Sequence, residues 1–180
     1  QGSDLRFAKS SADLAGPTPA LGWYVDQKDL SPALDRWVAI RKLILRRPFL
    51  ATLERFVNPF RAEALAVSAF HHNFREKMAE LAEAEGFKKI MVVFRGLEGS
   101  LGLSLNRGSQ MAQSLRQADG SYKKNLLELK AEMFGVQAMP EPKSQPVTAE
   151  ENARLISLFH ERRFSGDKLF DLRAQYTTEA

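Results

Sequence analysis

The chain has 180 residues, 44% of them hydrophobic and 27% charged, with no cysteine and a formal net charge of +4. That balance suits a globular fold and excludes collagen-like, coiled-coil and disordered chains. The missing cysteines exclude disulfides, Cys-ligated zinc, iron–sulfur clusters and thiol catalysis. No run of 18 apolar residues and no charged-then-apolar leader is present, so the expectation is a cytoplasmic protein with no membrane partner.

Gln1-Gly2-Ser3 reads as the scar of a cleaved tag, residues 4–30 as an irregular lead-in and 31–180 as a single α/β domain. Gly16-Pro17, Pro19 and Gly22 break the lead-in, leaving one short extended stretch at Trp23-Tyr24-Val25. Ser31-Pro32 opens a helix, and Leu34, Trp37, Val38, Arg41 and Leu45 then share one face up to Arg47. Pro48 opens a second helix, which Asn58-Pro59 stops. The apolar run Ala64 to Phe70 predicts a buried strand. Asn73 with Glu76 predicts a capping box, with a helical stripe of Phe74, Met78, Leu81 and Ala82 ending at Gly86. Ile90 to Phe94 is a second buried strand, and the three together predict a right-handed βαβ unit with parallel strands.

Beyond it, Gly96, Gly99, Gly102 and Gly108 punctuate a loop. Asp119-Gly120, between Met111 to Arg116 and Tyr122 to Leu127, predicts a small antiparallel addition to a mainly parallel sheet with flanking helices. Met139 to Pro146 reads as a surface linker. Thr148 with Glu151 caps a helix with Ala153, Leu155, Ile156 and Phe159 inward, and Ser165-Gly166 divides it from a last helix through Leu169, Phe170 and Leu172.

Charge is unevenly spread. From Ser31 to Arg61, seven basic residues (Arg36, Arg41, Lys42, Arg46, Arg47, Arg55 and Arg61) face two acidic ones, Asp35 and Glu54, leaving five net positive charges and a nearly neutral remainder. Such a segment invites an anionic partner, nucleic acid foremost, although solvated basic faces are common. Arg41 is the odd member, because its apolar neighbours aim a guanidinium inward, where it needs a carboxylate or an anionic ligand. Gly96, Glu98 and Gly99 follow a strand where open α/β sheets place ligand loops, but match neither the dinucleotide fingerprint nor the P-loop. His71 and His72 stand at a strand end and point apart, without metal-binding spacing. No catalytic set emerges.

Ser31-Pro32-Ala33-Leu34, Ile40-Arg41-Lys42, Arg47, Asn58-Pro59, the Ala66 to His71 strand end, Arg75-Glu76-Lys77-Met78-Ala79 and Arg95-Gly96-Leu97-Glu98-Gly99 follow one another in an order that resembles the α/β domain of anthranilate phosphoribosyltransferase-like proteins, glycosyl transferase family 3. Glu151-Asn152-Ala153 fits as well. The resemblance implies that Arg41 matches the arginine facing the anthranilate carboxylate. It also implies that the family's glycine-rich pyrophosphate loop and N-terminal helical domain have no counterpart here, and that its acidic metal pair falls near Ser100-Leu101. Ala51 and Glu54-Arg55 stand where the enzymes carry an asparagine and a Gly-Pro. The basic helices and Gly-Leu-Glu-Gly look closer to the non-anthranilate, YbiB-type branch, which keeps the fold and binds nucleic acid.

The resulting expectation is a divergent domain, not catalytic by itself, binding nucleic acid through Arg36, Lys42, Arg46, Arg47, Arg55 and Arg61, with Arg41, Gly96, Glu98 and Gly99 as anion contacts. No cofactor is expected of the isolated chain. The alternative is the C-terminal portion of an active transferase, completed by an N-terminal helical segment and using magnesium and phosphoribosyl pyrophosphate. A homodimer is compatible with either reading.

Overall fold

The computed structural model describes residues 6–10, 12–19, 22–44, 50–58, 61–94, 96, 100–141 and 147–180. Contacts group the chain into two units, 1–62 and 63–180, so residues 31–62 gather with the lead-in and not with the sheet domain.

In the first unit, β1 (Arg6–Ala8) pairs in parallel with β2 (Trp23–Val25), the stretch expected to be extended. Asp26 caps a single turn, α1 (Gln27–Leu30), by accepting from the Lys28 amide at 2.9 Å. Pro32 starts α2 (Pro32–Leu43), which stops short of the expected Arg47. The second helix appears as a turn, α3 (Leu50–Leu53), tightening into a 3-10 turn at Glu54–Phe56. Asn58 then folds its side chain onto Ala62, donating to its carbonyl and accepting from its amide. Of the expected inward face of α2, Leu34 and Arg41 are half-covered while Trp37 and Val38 are exposed, as are Ile40 and Leu43 beside it. Ala8 and Phe56 are the buried hydrophobic residues among those described in this unit.

The second unit holds the βαβ unit. β3 (Ala64–Ala69) and β4 (Lys89–Phe94) run parallel in the register Ala64↔Lys89 to Ala69↔Phe94, joined through α4 (His72–Ala84). The helix begins one residue before the expected cap. His71 is its N-cap, makes no side-chain capping bond, and leaves Asn73 inside the first turn. β5 (Ser109–Arg116) pairs antiparallel with β4 and with β6 (Tyr122–Leu129), giving the order β3-β4-β5-β6. Gly120 takes φ +86°, and Asp119 accepts from the Ser121 amide and hydroxyl, so the Asp-Gly signal makes the turn.

The sheet is mixed, with one parallel and two antiparallel pairings, instead of mainly parallel. The hairpin is no small addition, because two eight-residue strands need no crossover between them and pair along their full length. Thr148 caps α5 (Ala149–Arg162) as expected, its hydroxyl accepting from the Glu151 amide at 3.1 Å, while the Glu151 carboxylate turns to Arg154. On α5 only Leu155 is fully buried, and Ile156 faces solvent. Asp167 caps α6 (Lys168–Glu179) through the Phe170 amide.

Both faces of the sheet are covered. On one lie Met78, Ala79 and Ala82 of α4, packed on the central strand β4, whose Ile90 and Val92 have no exposed surface. The end of this helix is tied to the hairpin by Glu83, which accepts from the Ser114 hydroxyl at 2.6 Å and pairs with Lys124 at 3.1 Å. On the other face Val93, Leu103, Leu105, Met111, Leu129, Ala131, Val136 and Tyr176 form the core. Leu103 and Leu105 come from the glycine-punctuated loop, so its second half is core.

Glu141 fastens this loop to α6. Its carboxylate accepts from the Ser104 hydroxyl at 2.6 Å, the Leu105 amide at 3.1 Å and Arg173 Nε at 3.1 Å. The expected surface linker is therefore anchored as far as Glu141, and residues 142–146 lie outside the described residues. Desolvation alone pushes the Glu141 carboxyl up, and its three partners outweigh this to hold it below the ordinary 4.5.

Tyr176 is fully buried, and its hydroxyl has no hydrogen-bond partner among the described residues. Burial, aided by the charge of Glu132, pushes its pKa up to about 12. Tyr176→Phe removes a desolvated, unsatisfied group and keeps the ring contacts. It should raise stability by up to about 1 kcal/mol, which a urea midpoint shift at unchanged slope would read; a loss of similar size would mean that the hydroxyl has a partner.

Candidate functional site

Arg41 lies on α2 and is half-covered, but its partner is internal. Its Nη1 meets Glu54 Oε1 at 3.3 Å, with the two side chains 35% and 19% exposed. Gln27 Nε2 donates to the other oxygen of Glu54 at 3.3 Å. One carboxylate from the 3-10 turn thus clasps α1 and α2, and the guanidinium expected as an anion contact is already neutralised. Because the pair is partly open to water and its geometry is long, Arg41→Met should destabilise the protein by only about 1 kcal/mol. A thermal melt with the double substitution Arg41→Met, Glu54→Gln closes the cycle. Full additivity there would mean that the pair does not couple.

The other basic positions differ in what surrounds them. Arg36 is exposed on α2, beside the exposed Trp37. Arg61 is exposed and takes φ +53°, a left-handed turn after Asn58. Arg55 is exposed and makes an interaction of its own. Lys42 is helical, though its side chain lies outside the described residues, as do Arg46 and Arg47 entirely.

In the loop after β4, Gly96 is buried. A Cβ there would run into the Ser100 carbonyl oxygen and lie 3.0 Å from that of Gly102, so close backbone packing explains this glycine without a ligand. Glu98 and Gly99 lie outside the described residues. Among the described residues no three His, Asp or Glu side chains gather as a metal site requires.

At the carboxyl end of β3 and β4 a crevice of about 630 Å³ opens between the first turn of α4 and the sheet, its lining including Phe70, His71, His72, Arg75, Phe94 and Gln110. His71 and His72 diverge as adjacency dictates. The His71 ring lies 4.8 Å from that of Phe70 and 6.3 Å from that of Phe74, while the His72 ring lies 6.3 Å from that of Phe94. Arg75, which the sequence reading used only to support a resemblance, crosses from α4 to the sheet, donating through Nη1 to Gln110 Oε1 at 2.7 Å. Its side chain is 11% exposed, and the exposed Glu76 carboxylate stands 3.5 Å from Nη2. The spacing from His71 to Arg75, one helical turn, is the signal that joins them.

No protein-family model matches the chain. A protein of Aquifex aeolicus (strain VF5) described as uncharacterized is 36% identical over 78 residues, which make up 43% of this chain and 25% of that protein. The chain thus spans about a quarter of the length of the curated relative it matches.

Proposed function

We propose that the chain is a divergent domain of the anthranilate phosphoribosyltransferase-like class, not catalytic by itself, that binds nucleic acid through its basic helical segment. The observation that carries the reading is the concentration of five net positive charges between Ser31 and Arg61, with Arg36, Arg55 and Arg61 exposed. The Arg41–Glu54 pair favours the non-catalytic form, because a guanidinium held by its own carboxylate is a poor receptor for an acceptor's carboxylate. Calorimetry with magnesium and phosphoribosyl pyrophosphate should give no specific heat; micromolar, magnesium-dependent binding would overturn this reading.

A second reading, a portion of an active transferase completed by other residues, is favoured by the apolar row of Trp37, Val38, Ile40 and Leu43 left exposed on α2. The greater length of the Aquifex relative points the same way. The same calorimetry separates the two.

A further inference from the structure

The hairpin ends the sheet on one side, and among the described residues no strand pairs with the outer side of β6. Lys123, Lys124, Leu126, Leu127 and Glu128 along it are exposed. Which of its backbone groups are left over follows from the turn. The Gln117 amide donates to the Ser121 carbonyl at 2.8 Å, which makes 117 and 121 a hydrogen-bonded pair of the β5-β6 ladder. Such pairs alternate in an antiparallel ladder, so in the register Arg116↔Tyr122 to Ser109↔Leu129 residues 123, 125, 127 and 129 turn their amides and carbonyls to β5. Tyr122, Lys124, Leu126 and Glu128 turn theirs to the open edge. The Arg116 amide, which donates to the Lys88 carbonyl on the β4 side, fixes the same phase. An edge of this length is a template for another strand. Edge lysines ordinarily blunt such a template, but here the charge changes sign along the strand, from Lys123 and Lys124 to Glu128.

We propose that β6 pairs antiparallel with β6 of a second copy of this chain, centred on Leu126, so that the two sheets continue into one another. A twofold axis perpendicular to the sheet reverses the strand and keeps each face on its own side, so facing residues are an even number apart in sequence. Centring on Leu126 sets that residue against its own copy and Lys124 against Glu128 on both sides of the axis. Three facing pairs then exchange about six backbone hydrogen bonds. Centring on residue 125 or 127 instead sets Lys124 against Leu126 or against Lys130, and the charge match is lost. Lys124 already meets Glu83 at 3.1 Å, but its side chain is 54% exposed and its ammonium has three donors to share. Glu128 is 61% exposed and stands 3.7 Å from Lys130, a loose pair that leaves its carboxylate available. Leu126 is 56% exposed and leaves water at the centre of the contact. The edge belongs to residues 63–180 and does not depend on the basic segment of residues 31–61 binding anything.

The test is sedimentation equilibrium of the full chain without nucleic acid, joined to thiol cross-linking, for which the lack of native cysteine leaves each introduced one alone. The protein should pass from monomer to dimer between about 1 and about 500 µM, a weak association because one strand pair buries less than a standard interface. Leu126→Lys, at an exposed position, sets like charges at the axis and should abolish the dimer while the melting curve stays native. Glu128→Lys turns both charge pairs into repulsions and should weaken the dimer by about tenfold. Under oxidised glutathione, Leu126→Cys should form a disulfide-linked dimer, because facing residues stand about 5.5 Å apart between Cα atoms, within disulfide range. Lys124→Cys alone and Glu128→Cys alone should not, each lying roughly 14 Å from its own copy, whereas the two mixed should cross-link to each other. The charge reversals Arg46→Glu and Arg47→Glu should leave the dimer unchanged, which separates this contact from the basic segment. A monomer at every concentration, a dimer that Leu126→Lys leaves intact, or cross-linking no faster at 126 than at 124 would overturn the proposal.

Discussion

Glu141→Ala should lower the stability of the protein by about 3 kcal/mol, the largest effect of a single substitution that the structure suggests. The side chain is 11% exposed, and its loss strips a partner from the Ser104 hydroxyl, the Leu105 amide and Arg173 together. Two of these groups carry Leu103 and Leu105 into the core and the third sits on α6, so the substitution loosens both walls around Tyr176. A melting shift of roughly 10 °C would be seen by calorimetry. The acid dependence follows from the direction of the pKa. A carboxyl depressed in the folded state contributes fully above its unfolded value near 4.5 and loses that contribution as pH falls through the lower folded value. The gap between native and Glu141→Ala melting temperatures should therefore be constant from pH 7 to about 5 and narrow below about 4. A gap that stays constant through acid pH would assign the effect to packing instead of charge.

Reversal of Arg46 and Arg47 to glutamate should weaken binding of every nucleic-acid sequence alike, by about tenfold or more at low salt. Both residues belong to the basic segment and changing them alters its charge by four units. Their spread, with Arg36 and Lys42 along the same stretch and Arg55 and Arg61 beyond, suits a phosphate backbone better than base edges, so sequence preference should be weak. Lys123→Glu, on the exposed side of β6 in the other unit, should have little effect and controls for net charge.

The contrast between what the sequence foretells and what it hides is physical. Ile90 to Phe94 is apolar on both faces because β4 is central and covered on both, so the run is legible as a strand. The Asp119-Gly120 turn is legible because only a residue tolerant of positive φ closes it. The start of α4 is displaced because Asn73 and Glu76 fit a local capping pattern, whereas the chain direction leaving β3 makes His71 the last extended residue. Leu103 and Leu105 hide among glycines that suggest a ligand loop, although their spacing of two is that of residues pointing to one side. Met139 to Glu141 hides behind prolines, and nothing local in the sequence tells that Glu141 will meet Ser104 and Arg173, 37 and 32 residues away. The same holds for the candidate site. That Arg41 needs a partner is visible in its apolar surroundings, but Glu54 as that partner is a tertiary fact. β1 carries no signal at all, being three residues long and defined only by its pairing with β2.

The central claim is that the basic segment meets phosphates, and the salt dependence of binding tests it most directly. With a fluorescent single strand followed by anisotropy, each neutralised phosphate contributes about −0.7 to the slope of log affinity against log salt, and with a duplex about −0.9. Four contacts from the basic segment should give a slope of roughly −3 to −4, flattened by about half in the Arg46→Glu, Arg47→Glu protein. No binding at low salt, or a slope that the double reversal leaves unchanged, would contradict the account.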